Sequence, residues 1–264
     1  MFPLTIQLCY HSRCNFHYIV ASLRYNKIDS ERTPIMTQQR TKLWYLKNLD
    51  IFSHLRDEEY RMLDEYSRMR EVKKGEVLYL QGSSDKNIYI LKKGAVKITK
   101  LTPQGKEIIL DICKGGTIFG EMAYVEPVER DESAEVIEDG LICIMKKVDF
   151  DRMLQMVPGL SIRLTKMIGL RRWKIENKIL DLLYSTVEQR LARTLLNLLD
   201  DFGVPHDEGY LIRLKLKHSD YADLIASTRE TVTATLNKMR RDGIIDFEGK
   251  YVIVKSLDGL KKIV

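Results

Sequence analysis

The sequence predicts an α+β chain in three parts: an all-β roll or barrel, a long helix and a winged helix-turn-helix. Three observations carry this. Between residues 72 and 147, short β-branched and aromatic runs (VLYL, IYIL, AVKITKL, EIILDI, LICIMKK) alternate with glycines, as in a compact antiparallel roll. From Pro158 onward apolar residues recur at helical spacing. Near the C-terminus, HSDYADLIASTRETVTATLNKMRR reads as two helices about a tight turn, and DFEGKYVIV as a hairpin, or wing, with Gly249 at its tip. The parts divide at 36–157 for the roll, 158–184 for the long helix and 185–264 for the winged helix-turn-helix. Residues 1–35 have no steady period and read as a disordered leader, or as an upstream start that precedes Met36.

Each element follows from its local pattern. DEEYRMLDEYSRMR (57–70) places Tyr60, Leu63 and Tyr66 on one face of a short amphipathic helix. TPQGKE (102–107) is a hairpin tip, because Gly105 tolerates positive φ. Pro158 and Gly159 separate a short helix from a long one starting near Leu160. On that helix Leu164, Ile168, Ile175, Ile179 and Leu182 recur, with Met167, Leu170, Leu180 and Leu183 beside them. An apolar surface this wide is buried on more than one side. One side suits the roll; the other suits a parallel coiled coil with a second copy, through Leu164, Met167, Ile168, Ile175, Ile179 and Leu182. The alternative is that both sides are intrachain core. TVEQRLARTLLNLLD (186–200) is a further amphipathic helix, GVPHDEG a loop, and YLIRLKLK (210–217) an alternating strand.

Bulk composition excludes several classes. The chain has 264 residues, 44% of them hydrophobic, enough for a substantial core. No apolar run approaches the roughly 20 residues of a membrane helix, and the first residues lack a secretory pattern, so the expected location is the cytoplasm. The net charge of +6 suits a nucleic-acid partner without proving one. Cys9, Cys14, Cys113 and Cys143 form no Cys-x-x-Cys pair, and the five histidines complete no zinc spacing, so no metal site is expected. No nucleophile–base set or phosphate loop points to an enzyme.

The helix pair carries the most chemistry. Thr228 can cap its second helix, which leaves Arg229 and Glu230 in the first turn, where a recognition helix meets base edges. Arg229 can bond two acceptors of one guanine, and Glu230 can accept from a cytosine amine. Thr231 and Thr233 complete the base-reading set. Lys215, Lys217, His218, Ser219, Thr228, Lys238, Arg240, Arg241 and Lys250 surround it and suit phosphates. Tyr221, Leu224, Ile225, Val232, Leu236 and Met239 supply the shared apolar core.

LKNLDIFSHLRDEEYRML, GEVLYLQGSSDKNIYILKKGAVKITKLTPQGKEIIL and STRETVTATLNKM, in this order, resemble the cyclic-AMP receptor protein/FNR superfamily of bacterial transcription regulators over about residues 45–256. The resemblance implies a cyclic-nucleotide-binding-like effector roll, a dimerisation helix, and a homodimer on a near-palindromic duplex. Its half-sites would lie about one helical turn apart. It further implies contact with RNA polymerase through the 201–209 loop. Where the best-known pattern has a second Arg four residues after the Glu, this chain has Ala234, which implies weaker discrimination at one base pair of each half-site.

The resemblance also places a candidate effector pocket. In nucleotide-binding members a Gly-Glu pair holds the ribose and an Arg-Ser-Ala holds the cyclic phosphate. Gly120 and Glu121 match the first, and Ser133 and Ala134 the end of the second. Glu132 stands where the Arg belongs, with Arg130 two residues away beyond Asp131. A carboxylate at that place repels phosphate. The long-helix Thr-Ser pair that bonds the purine is Ile175 and Glu176 here. These departures disfavour a cyclic-nucleotide cofactor. Too few cysteines lie near the N-terminus for an iron–sulfur sensor, no histidine stands out as a haem ligand, and Cys113 and Cys143 read as inert buried thiols. What remains is an unidentified effector or none; the reading preferred is a DNA-competent regulator without an effector. The competing reading is a ligand-binding signalling module whose C-terminal domain binds a protein.

Overall fold

The computed structural model describes residues 52, 55–124 and 129–264. The expected leader, with Cys9 and Cys14, lies outside the described residues. The first helix, α1 (Asp57–Tyr66), starts where Glu59 accepts the Arg56 backbone N–H at 2.7 Å and its guanidinium at 2.9 Å. Its buried face holds Tyr60 and Leu63. The sequence pattern carries this helix to Arg70, but it stops at Tyr66. Residues Ser67–Val72 form strand β1 instead, paired with the later strand β6 (Ser133–Lys146) from Ser67↔Met145 to Val72↔Gly140. Cross-strand pairing here overrides a helical pattern that local spacing alone supports.

The roll continues with β2 (Val77–Tyr79), β3 (Asn87–Leu101), β4 (Glu107–Lys114) and β5 (Ile118–Phe119). The sheet is antiparallel in the order β1-β6-β3-β4, with β2 on β6 and β5 on β3. IYIL and AVKITKL, which read as two strands, are one 15-residue strand. The strand passes through Gly94 at φ +91°, where an added Cβ would lie 2.7 Å from the Glu138 carbonyl oxygen. Glycine thus acts there as a close-approach residue inside a strand. The 102–107 tip is a hairpin as expected, with Gly105 at φ +76° and its N–H donating to Thr102 O at 2.9 Å. One face of the roll buries Val72, Tyr79, Tyr89, Leu91, Val96, Cys113, Phe119, Val136 and Ile142. The other buries Ile88, Ile90, Cys143 and Met145 against Phe52, Leu63, Phe150 and Met153.

Helix α2 (Lys147–Met156) ends at Val157, and α3 (Pro158–Tyr184) starts with proline at its first position, two residues earlier than expected. Leu160 and Leu164 are buried against the roll, and Met167 is half-buried in the same cluster. Leu164 is thus buried within the chain and Met167 partly so. Ile168, Ile175, Ile179 and Leu182 are 45%, 55%, 51% and 40% exposed.

Thr186 caps α4 (Val187–Phe202), accepting the Gln189 N–H. The expected loop after it is a hairpin, β7 (Gly203–His206) with β8 (Gly209–Ile212). The strand expected to Lys217 pairs only to Ile212, although burial keeps alternating through Leu214 and Leu216. Then come α5 (His218–Leu224), α6 (Arg229–Arg241), β9 (Ile245–Glu248), β10 (Tyr251–Val254) and α7 (Leu257–Ile263), the last not foreseen from sequence. Tyr221, Ile225, Val232, Leu236 and Met239 form the buried centre of this domain, with Leu224 packed at its edge. Ala95, Ile109 and Ile112 of the roll belong to the same cluster, so one apolar core runs across the two domains. Each fully buried residue of this kind contributes about 1.5–3 kcal/mol. Lys114 Nζ and Asp201 Oδ1, 2.6 Å apart, add an ion pair across the same boundary.

Candidate nucleic-acid interface and effector pocket

The turn between α5 and α6 is sharp because Ala226 adopts φ +49°, unusual for a residue with a side chain. Thr228 then caps α6: its Oγ1 accepts the Thr231 N–H at 3.2 Å and lies 2.9 Å from Thr231 Oγ1. Arg229, Glu230 and Thr231 are exposed on the first turn. No hydrogen bond or ion pair among the described residues engages the Arg229 or Glu230 side chain. Val232, Leu236 and Met239 on the opposite face are fully buried, which fixes the helix's rotation.

Thr233 differs from its expected role. Its hydroxyl donates to Arg229 O at 2.8 Å and lies 2.8 Å from His218 Nδ1. His218 therefore joins the start of α5 to the start of α6. Lys217, Arg241 and Lys250 are exposed, Ser219 is half-buried, and Lys215 Nζ sits 5.0 Å above the Tyr251 ring. Lys238 and Arg240 also lie on the surface but carry carboxylates already. Lys238 pairs with Glu188 at 2.8 Å, and Arg240 with Asp246 at 2.8 Å. Exposed pairs of this kind are worth about 0–1 kcal/mol, so a phosphate can compete for either cation.

The roll interior is organised differently. Arg130 is 3% exposed and donates to Gly120 O at 2.7 Å, to Asp85 Oδ1 at 2.6 Å and to Asn87 O, with its guanidinium 4.2 Å from the Tyr79 ring centre. It pins one loop to another through its two terminal nitrogens, while its Nε is buried without a partner among the described residues. Glu132 accepts from Tyr79 Oη–H at 2.9 Å. Burial pushes its carboxyl above the usual range, with the Tyr79 bond opposing and the Glu121 charge adding to the rise. Ser133 Oγ accepts the Gln81 N–H at 2.8 Å, and Ala134 is buried in β6.

Glu121 is ion-paired with Arg171 of α3, which also donates to Ile118 O at 2.6 Å. Lys178, two turns further along, donates to Ile109 O at 2.9 Å. Beyond the apolar contacts of Leu160, Leu164 and Met167, Arg171 and Lys178 are the long-helix side chains that bond the roll among the described residues. Ile175 is more than half exposed, and Glu176 bonds Arg172 on the helix surface. In one chain Ile175 and Glu176 thus stand on the exposed side of the helix, beside the side that carries Arg171 and Lys178. An arginine in GLRRWK carries no sequence signal that separates it from its solvated neighbour, which is why sequence reasoning misses Arg171. Cys113 and Cys143 are free and buried. Burial first, and Asp111 next, raise the Cys113 thiol well above its ordinary range, which disfavours thiolate chemistry.

Known proteins share this arrangement. Residues 69–156 match the cyclic nucleotide-binding domain family and residues 189–263 the Crp-like helix-turn-helix domain. The anaerobic regulatory protein of Bacillus subtilis is 32% identical over 199 residues, which span 74% of this chain and 84% of that protein. The CRP-like cAMP-activated global transcriptional regulator of Mycobacterium tuberculosis is 28% identical over 189 residues, 72% of this chain and 84% of that one. A CRP-family transcriptional regulator of Thermus thermophilus has a solved structure with a TM-score of 0.64 at 25% identity, covering 74% of this chain and 95% of its own. FixK2 of Bradyrhizobium japonicum shares the fold, with a TM-score of 0.66 at 22% identity over 75% of this chain and 96% of its own. The Mycobacterium and Thermus proteins are transcriptional regulators by name. The helix-turn-helix of residues 189–263 is a DNA-binding domain of this kind. No helix among the described residues is long and apolar enough to cross a membrane. With an effector-type roll, a long connecting helix and a capped recognition helix in one order, this chain belongs to the CRP/FNR superfamily of DNA-binding transcription regulators.

Proposed function

We infer that the protein acts as a homodimer on a near-palindromic duplex and binds DNA without a cyclic nucleotide. The observation that carries effector independence is Glu132. By the resemblance it stands in the place of the phosphate-binding arginine, and it is hydrogen-bonded to Tyr79, while Arg130, two residues away in the chain, is buried and bonded to Asp85 and two carbonyls. A cyclic phosphate brought there would meet a carboxylate and no free cation. The apolar core shared by the roll and the winged helix supports a DNA-binding domain already docked.

Dimerisation is supported by the exposed row Ile168, Ile175, Ile179 and Leu182, flanked by exposed Leu180 and Leu183. Rows of this kind are covered by a second helix in a coiled coil. Arg229 and Glu230 read bases, and Lys217, Arg241 and Lys250 bind phosphates. The β7–β8 hairpin, with exposed Asp207 and Glu208 at its tip, is the surface offered to RNA polymerase, and the cytoplasm is the site of action.

A second reading is gating by a small effector. It is favoured by the match of residues 69–156 to the nucleotide-binding family and by the retained Gly120–Glu121 and Ser133–Ala134 pairs. Fluorescence anisotropy separates the two. The probe is a labelled duplex enriched from a random pool by the protein itself, titrated without ligand and then with cyclic AMP or cyclic GMP. Tight, salt-sensitive binding that neither nucleotide alters is the expected result. Binding that requires a nucleotide supports the second reading.

A further inference from the structure

His218 stands at a junction of three DNA-facing elements. It is the first residue of α5, its Nδ1 meets Thr233 on the recognition helix, and its ring centre lies 6.3 Å from that of Phe247 in the wing. The two hydrogen bonds at Thr233 decide its protonation pattern. A hydroxyl has one proton, and Thr233 Oγ1 gives it to Arg229 O. The second contact, at 2.8 Å, must then be Nδ1–H donating to Thr233 Oγ1. With the neutral ring's one proton on Nδ1, Nε2 is an acceptor, which repels a phosphate oxygen. When the ring takes up a second proton, Nε2–H becomes a charged donor.

We propose that His218 is a proton-dependent phosphate contact: Thr233 holds the ring so that only the imidazolium grips the DNA backbone, and DNA affinity rises as the pH falls. The proposal rests on the DNA-binding reading and on no feature of the effector pocket. Binding then takes up a proton, so the affinity falls as the pH is raised, and the window to measure is about pH 5 to 8.

The charged groups near His218 come from each element packed there. They are Lys217 and Asp220 on its own segment, Arg229 and Glu230 on α6, and Arg240 with Asp246 beside Phe247. Lys106 and Glu107 of the β3–β4 hairpin act further along α5, at Asp223. His206, the other histidine among the described residues, faces Glu248, 3.2 Å away, and is the control.

The test measures binding to the enriched duplex and to a scrambled duplex of the same composition, across that pH range and at several salt concentrations. One proton taken up per His218 changes affinity by up to about tenfold per pH unit. Neutralising one more phosphate steepens the log affinity–log salt slope by about 0.9. The wild type is expected to show both effects on both duplexes. His218→Gln should flatten the pH profile at low affinity, His218→Lys should flatten it at high affinity, and His206→Gln should leave it unchanged. Thr233→Val should also flatten it, because a neutral ring released from Nδ1–H can donate from Nε2.

A wild type whose affinity and salt slope ignore pH would overturn the proposal while leaving DNA binding intact. So would a His218→Gln protein that keeps the wild-type profile. If His218→Gln fails to fold, the profile of His218→Lys decides.

Discussion

The recognition-helix end and the roll interior hold similar side chains in opposite states. At the start of α6, Arg229 and Glu230 are exposed, and no described residue bonds either side chain, while the apolar side of the same helix is fully buried. In the roll, Arg171 and Glu121 pair with each other, Arg130 is bonded to Asp85 and two backbone carbonyls, and Glu132 to Tyr79. One Glu121 oxygen and the Arg130 Nε are buried without a partner among the described residues. A rigid helix presenting uncommitted charge is equipped to meet an outside partner. A pocket whose charges are satisfied internally must break those bonds before it admits a ligand, and that cost opposes binding. On the function proposed above, the first region serves recognition and the second holds the scaffold together.

The sharpest way to break this comparison is to disable the recognition end from a distance. Ile168→Glu with Ile175→Glu places carboxylates on the exposed row of α3. Sedimentation should then report a monomer, and affinity for the palindromic duplex should fall by about 10²–10⁴, because the second half-site no longer binds as a linked event. A dimer of unchanged mass would place the interface elsewhere.

Next in size is Arg130→Ala. It removes the cation from Asp85, which keeps only its Asn87 and Tyr89 donors, and a donor from each of two carbonyls, and denaturant unfolding should show a loss of about 3–5 kcal/mol. A small loss would mean that Arg130 is not a structural pin. Arg229→Ala should cost about 1–3 kcal/mol on the enriched duplex and almost nothing on a scrambled one. Equal losses on both would make Arg229 a phosphate ligand.

The smallest effect expected is on Glu132. A carboxyl whose folded pKa stands above its unfolded value keeps a proton in the folded state that the unfolded chain has lost. Stability therefore falls as the pH rises through that interval, and the buried charge remains a burden at neutral pH. Glu132→Gln can still accept from Tyr79, so it should melt above wild type at neutral pH, with the gap closing as the pH falls. A Glu132→Gln protein that melts lower would show that the ionised carboxylate is itself stabilising.

Legibility tracked the range of the physics. The hairpin tip at Gly105, the cap at Thr228 and the buried row Val232, Leu236, Met239 were all readable, because each is set within one turn or a few turns of chain. The helix expected to Arg70 and the strand expected to Lys217 were misjudged at their ends, where pairing with a distant strand, or its absence, overrode local pattern. Leu164 and Ile168 looked alike in sequence; only packing against the roll buried one and left the other exposed.

By itself, the sequence determined the kind and order of the elements, the recognition helix with its Arg229–Glu230 start, and the substitution of Glu132 for an arginine. These are properties of short windows, where period, capping and residue type act directly. Only the tertiary structure decided the partners. Arg130 meets Asp85 across 45 residues of chain and Arg171 meets Glu121 across 50, while His218 meets Thr233 across a turn whose angle the buried core sets. Such contacts depend on how separate segments pack in space, and spacing along the chain does not encode that.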